Sequence, residues 1–164
     1  MSESKQKITL LSNRAANVKD SITMAISAQA KKMKKEGKDV LGFSAGEPDF
    51  DTPESIKQAG IQAIQDGKTR YTPASGIAEL KDAICKKLKR DQDVTYSPEN
   101  IVISCGAKHS IYNTLAAMIN PSDEVIIPTP YWVSYPDQVQ LCDGNPVLIE
   151  TNDLSQFKIT PDQL

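Results

Sequence analysis

The sequence predicts an α/β fold: part of a parallel-type sheet whose strands alternate with covering helices. Two observations carry this. Three short apolar runs of β type recur late in the chain, Ile101-Val102-Ile103-Ser104, Glu124-Val125-Ile126-Ile127 and Pro146-Val147-Leu148-Ile149, with helical stretches between them at 107–119 and 132–142. Strand, helix, strand, helix, strand at that spacing is the grammar of βαβ units. The earlier part of the chain instead places apolar residues at helical spacing. A length of 164 residues, with 39% hydrophobic and 24% charged, is enough to bury a core in one domain.

Taken in order, Met1-Ser2-Glu3-Ser4-Lys5-Gln6-Lys7 is polar and leads into no long apolar region, so no secretory signal is expected. Val18, Ile22, Ala25, Ile26, Ala30 and Met33 predict a helix over 18–36, stopped by Gly37. The run Val40-Leu41-Gly42-Phe43 reads as an incoming strand, followed by a bend at Gly46-Glu47-Pro48-Asp49-Phe50-Asp51-Thr52-Pro53. Asp51-Thr52-Pro53-Glu54 then opens a second helix with a capping residue, a proline at its first position and an early acid. Ile56, Gly60, Ala63 and Ile64 line its face, and Gly67 closes it. Thr69 to Gly76 is rich in turn formers, and Ile77, Leu80, Ile84 and Leu88 define a third amphipathic helix. Thr160-Pro161-Asp162 carries the signals of another helix start two residues before the last one, Leu164. A cut inside a larger domain is expected from this, with a frayed native tail as the alternative.

Composition narrows the function. No apolar run approaches the ~20 residues of a membrane-spanning helix. Basic and acidic residues nearly balance at 19 and 21. The one basic cluster, Lys31-Lys32 with Lys34-Lys35, reads as a solvated helix face or as a contact for a phosphate-rich partner. Aromatic residues are only 5% and none interleave with those lysines, which gives nucleic-acid binding no support. Cys85, Cys105 and Cys142 are odd in number and lack metal-ligand spacing, so reduced thiols in a cytoplasmic protein are expected. With His109 as the single histidine, metal chemistry is not expected.

Two junctions between strand and helix carry the candidate chemistry. In Ser104-Cys105-Gly106-Ala107-Lys108, a small-residue turn aims free N–H groups and the positive end of a helix dipole beyond the strand, which suits a phosphate. It lacks the G-x-G-x-x-G pattern of dinucleotide sites. Lys108 is either a functional cation or a solvated one in an unfavourable place, the first turn of a helix. The second junction, Pro128-Thr129-Pro130-Tyr131-Trp132-Val133-Ser134-Tyr135-Pro136, holds the only tryptophan where open α/β sheets place ligands. Trp132 is either a core residue or a stacking face for a flat conjugated ring.

These motifs together resemble one family. G-E-P-D-F-D-T-P at 46–53, K-T-R-Y-T-P-A-S-G at 68–76, G-A-K at 106–108 and P-Y-W-V-S-Y at 130–135 are similar, in order and spacing, to class I aminotransferases that use pyridoxal 5'-phosphate. Within these the likeness is to the I-gamma subgroup of aspartate aminotransferases, and to their N-terminal portion only. The resemblance implies the fold-type-I architecture: an N-terminal arm helix and incoming strand over 1–45, and an incomplete cofactor-binding α/β domain over 46–164. It implies that Gly106, Ala107 and Lys108 hold the cofactor phosphate, that Trp132 stacks on the cofactor and borders the substrate, and that Tyr71 reaches the partner subunit's cofactor phosphate in a homodimer. It further implies that Gly46 lines the substrate pocket where a side chain would collide, and that Lys108, Ser21 and Lys19 meet the distal carboxylate of an acidic substrate. His109 and the three cysteines receive no role.

The reaction so implied transfers the amino group of aspartate, with prephenate or glutamate as alternatives, to a 2-oxo acid such as 2-oxoglutarate. It needs a Schiff-base lysine, a carboxylate at the cofactor's ring nitrogen and an arginine fork. In this family those follow the segment seen here, in N-P-N-N-P, S-x-x-K and later elements, and none has a counterpart before Leu164. No catalytic residue is therefore assigned, and the segment alone is expected to be inactive. The alternatives are a binding or interaction polypeptide, from truncation or a split gene, or a related aminotransferase for another amino acid.

Overall fold

The computed structural model describes residues 10–18, 20–43 and 46–164. The chain divides into two units, one of residues up to Gln29 together with Gly106–Leu164, the other of Ala30–Cys105. The helix expected over 18–36 forms unbroken but begins four residues late, at Ile22, and a separate short helix precedes it. A short helix α1 (Asn13–Asn17) ends at Val18, whose backbone is extended at φ −71° and ψ 126°, and α2 (Ile22–Lys35) starts afresh. Serines explain the break. Ser12 Oγ accepts the Ala15 N–H and Ser21 Oγ accepts the Met24 N–H, each at 3.3 Å. A hydroxyl that satisfies first-turn amides favours a new helix start over continuation of an old one.

In the second unit, Val40 to Phe43 carry no strand. Helix α3 (Glu54–Gln65) starts one residue later than its sequence signals imply. Pro53 is the N-cap, its carbonyl accepting from Ile56 and Lys57 at 2.9 and 3.1 Å, and no side chain caps the turn. Asp51 instead bonds the Thr52 N–H at 3.1 Å and the Lys57 ammonium. Helix α4 (Ala78–Gln92) ends with Lys89 and Arg90 in its last turn, where cations suit the dipole.

The expected strand at 101–104 is absent. Its apolar pattern was a sound β signal, but a strand exists only with a laddered neighbour, and none lies beside it among the described residues. The Ile103 N–H donates instead to the Ser75 carbonyl at 2.9 Å. Gly76 makes that approach possible. It sits at φ +107°, and a Cβ there would lie 2.2 Å from Ile103 Cγ1. The Lys81 ammonium holds the same turn through Ser75 Oγ at 2.9 Å.

The first unit contains the βαβ element. Helix α5 (Ala107–Met118) precedes strand β1 (Glu124–Thr129), and helix α6 (Ser134–Leu141) connects it to strand β2 (Asn145–Glu150). The strands pair in parallel, from Glu124 opposite Asn145 to Thr129 opposite Glu150. Helix α6 packs on both strands and on α5. Val139 on α6 and Ile127 on β1 are the two buried apolar residues among those described, at 1% and 5% exposure. An apolar groove of about 230 Å³ remains beside them, lined by Ile111, Leu115, Ile127, Tyr135 and Val139 among others. The predicted capping signal at Thr160 is realised as a single 3-10 turn, Pro161–Gln163, with Thr160 and Gln163 forming a capping box.

Gly76→Ala adds a methyl where Ile103 already sits and forces a strained backbone, so a loss of about 1–3 kcal/mol is expected. Urea unfolding of the wild type and the variant checks it, and equal midpoints would refute the close contact.

Candidate functional site

The turn into α5 supplies the site's first part. Gly106 holds φ 88° and ψ 170°, a backbone that side-chain-bearing residues adopt only at a cost. The space its Cβ would take is open. Gly106 is the N-cap of α5 and brings no side chain to the turn. Its carbonyl accepts from His109 at 3.1 Å and Ser110 at 3.3 Å. The Ala107 and Lys108 N–H groups precede that ladder and have no intrahelical acceptor. Two N–H groups without an acceptor among the described residues, beside the positive end of the dipole, suit an anion such as phosphate.

The Lys108 side chain turns to the second junction. Its Nζ lies 5.2 Å from the centroid of the Trp132 ring, within range of cation–π attraction. That contact offsets the repulsion a cation meets at a helix N-terminus. Trp132 follows the end of β1, and its carbonyl accepts the Tyr135 N–H at 3.0 Å as α6 begins. Trp132 as a residue is 48% exposed and does not sit in the core of the described structure. The chain thus brings together Gly106, Ala107, Lys108 and Trp132, combining an anion-binding turn with an aromatic face.

One residue of this cluster has no sequence signal. Gln138 on α6 donates its Nε2 to the Lys108 carbonyl at 2.8 Å. Its Oε1 is buried and has no hydrogen-bond partner among the described residues. An unsatisfied buried acceptor costs about 1–3 kcal/mol, so the amide is oriented by its donor end. A glutamine six residues beyond Trp132 is unremarkable on a polar helix, and only the fold brings it to Lys108.

The other expected site residues are placed differently. Ser21 caps α2 and lines a separate cleft of about 450 Å³ with Asp20, Tyr131, Ser134 and Asp137, where neither Lys108 nor Trp132 contributes. Two carboxylates on that cleft oppose a carboxylate ligand unless a cation joins them. Lys19, which the resemblance pairs with Ser21, lies outside the described residues. Gly46 and Tyr71 belong to the second unit. A Cβ at Gly46 would meet open space, so nothing described here crowds that position. The Tyr71 side chain is fully exposed.

Cys85, Cys105 and Cys142 form no disulfide. Burial, and then the Asp143 carboxylate, push the Cys142 thiol above its ordinary range, with Arg14 opposing. That thiol stays protonated and weakly nucleophilic at neutral pH. Among the described residues no cluster of His, Cys, Asp and Glu could hold a metal ion, and no helix is long and apolar enough to cross a membrane.

Comparison with known proteins adds to this geometry. The model of a family described as aminotransferase class I and II matches residues 38–164. An aspartate aminotransferase of Bacillus subtilis is 49% identical over 94% of this chain and 39% of its own. An aspartate/prephenate aminotransferase of Nitrosomonas europaea is 51% identical over the same shares. Among solved structures, the aspartate aminotransferase of Thermus thermophilus with maleate superposes with a TM-score of 0.90 at 39% identity, over 95% of this chain and 41% of that one. The Rhizobium meliloti aspartate aminotransferase gives 0.89 at 44% identity, over 94% and 39%. The chain spans about two fifths of the length of these relatives.

Lys108→Ala should change the emission intensity of Trp132, the chain's single tryptophan, and lower stability by about 0.5–1 kcal/mol, the range of an exposed cation–π contact. Superimposable fluorescence spectra would show that the ammonium does not rest on the ring.

Proposed function

The chain belongs to the class I and II aminotransferases, and from that premise we propose that it forms the phosphate-binding and ring-stacking side of a pyridoxal-phosphate aspartate aminotransferase. The observation that carries this reading is the Lys108 ammonium 5.2 Å from the Trp132 ring, beside a glycine turn whose first two helical N–H groups have no acceptor among the described residues. The donor set fits the cofactor. Ala107 and Lys108 N–H groups would hold the phosphate dianion, the Lys108 ammonium would add charge, and the half-exposed Trp132 would cover one face of the ring. When bound, pyridoxal phosphate supplies an electron-withdrawing ring that stabilises charge developing on the amino-acid substrate.

In this reading the chain's own residues bind and orient. Gly106 keeps the approach to the first-turn amides open. Lys108 serves the phosphate; its further part at the distal carboxylate of an acidic substrate, that of Ser21 and Lys19, and the place of Gly46 in the substrate pocket rest on the family resemblance alone. Trp132 excludes water from one ring face. Tyr71, fully exposed, suits a reach to the cofactor phosphate of a partner subunit in a homodimer. Aspartate as amino donor and prephenate as an alternative follow the names of the relatives; glutamate as a further donor and 2-oxoglutarate as acceptor follow the family resemblance. The division into an arm over 1–45 and a cofactor domain from 46 onward belongs to the same proposal, as does a cytoplasmic setting, supported by three cysteines that form no disulfide.

No lysine of the cluster is available for the proton transfers of amino-group exchange, because Lys108 is committed to the phosphate end. The 164-residue chain should therefore bind without turning over. Titration with pyridoxal phosphate should quench Trp132, and Gly106→Val or Trp132→Ala should weaken binding roughly tenfold, a loss of about 1.4 kcal/mol. Aspartate with 2-oxoglutarate should yield no amino-group transfer. Stoichiometric turnover by this chain would sink the assignment of binding alone, and unchanged affinity in both variants would sink the site.

A further inference from the structure

We propose that Gln138 is a positioning residue for the anion-binding turn, acting through the Lys108 carbonyl. This rests on the phosphate reading above and extends it to a residue that touches neither phosphate nor ring. The 2.8 Å bond from Gln138 Nε2 to the Lys108 oxygen joins α6 to the first turn of α5, across 30 residues of sequence. It fixes one specific peptide plane. The same peptide that presents the Lys108 carbonyl to Gln138 presents the His109 N–H to the Gly106 carbonyl at 3.1 Å. A chain of donors and acceptors thus runs from the Gln138 amide through that peptide to Gly106. Such chains polarise along their length, and this one ends on the Gly106 carbonyl, whose peptide also carries the Ala107 N–H.

The buried, unpartnered Oε1 gives the arrangement its direction. With no second bond to hold it, the Gln138 amide is oriented by its donor end, and a shape-matched side chain without a donor has nothing else to grip. Gln138 also lies on the helix that starts just beyond Trp132. One side chain therefore couples the stacking side of the site to its anion-binding side.

Gln138→Met keeps the side chain's length and removes the donor; Gln138→Glu keeps the shape and sets an acceptor against the Lys108 carbonyl. Each is compared with wild type by Trp132 fluorescence during titration with inorganic phosphate, pyridoxal phosphate and phosphate-free pyridoxal. Losing one hydrogen bond corresponds to a loss of affinity of roughly fivefold to tenfold for both phosphate-bearing probes, with pyridoxal unchanged and Gln138→Glu the weaker binder. Amide exchange should accelerate at Ala107 to Ser110. Wild-type affinity for phosphate in both variants, or equal losses for all three probes, would overturn the proposal and leave Gln138 a packing residue. If Gln138→Met does not fold, Gln138→Glu decides by the same ratio, and if neither folds, unchanged exchange at these four amides when wild type binds phosphate overturns it. Absence of any phosphate response in wild type would remove the phosphate reading as well.

Discussion

The arrangement at the start of α5 depends on a backbone constraint more than on any side chain. Helices begin with amides that lack internal acceptors, and proteins usually cover them with a serine, threonine or aspartate. Here the covering residue is a glycine at φ 88°, which satisfies none of them. Its conformation spends the turn's carbonyl on His109 and Ser110 and leaves the two earlier amides without an acceptor among the described residues. The chain has placed hydrogen-bonding capacity at one point of its surface without using it. In the reading proposed above, a phosphate group would recover that capacity, with three acceptor oxygens and a charge that the dipole favours.

The second junction answers an electrostatic difficulty created by the first. A lysine in the opening turn of a helix faces the positive end of the dipole, and Lys108 gains no nearby carboxylate among the ion pairs of the described residues. The electron-rich face of Trp132 takes that place. An aromatic partner differs from a carboxylate in one important respect. It holds the ammonium without cancelling its charge, so the cation still contributes to the field in which an anion would sit.

The sequence made most of the elements readable, for reasons that are local. Helices α3 and α4 announce themselves through apolar spacing, β1 and β2 through short β-branched runs, and the Thr160 capping box through its residue types. The failures share a cause, which is dependence on something distant or competing. The run at 101–104 has strand chemistry but no ladder beside it, and its amide went to Ser75. The periodic segment at 18–36 starts its helix only at Ile22, where the Ser21 hydroxyl accepts a first-turn amide. The cluster of Gly106, Lys108 and Trp132 was legible through its motifs, while the Ser21 cleft, with Asp20 and Asp137 on its wall, was not. Gln138 was beyond reach, since its part in the site exists only once α6 lies beside α5.

The contact between Gly76 and Ile103 has a consequence for how the second unit holds together. These residues flank α4 at its two ends, and the amide of Ile103 meets the carbonyl of Ser75 where they touch. The helix and its return are thereby closed into a ring at their base by one hydrogen bond and one close contact. A closed ring cannot lose its helix gradually from the ends without first opening its clasp, so α4, the Ser97–Asn100 turn and the segment after it should melt as one cooperative block. The missing methyl group at position 76 is therefore what makes α4 part of a tertiary unit rather than an isolated amphipathic helix.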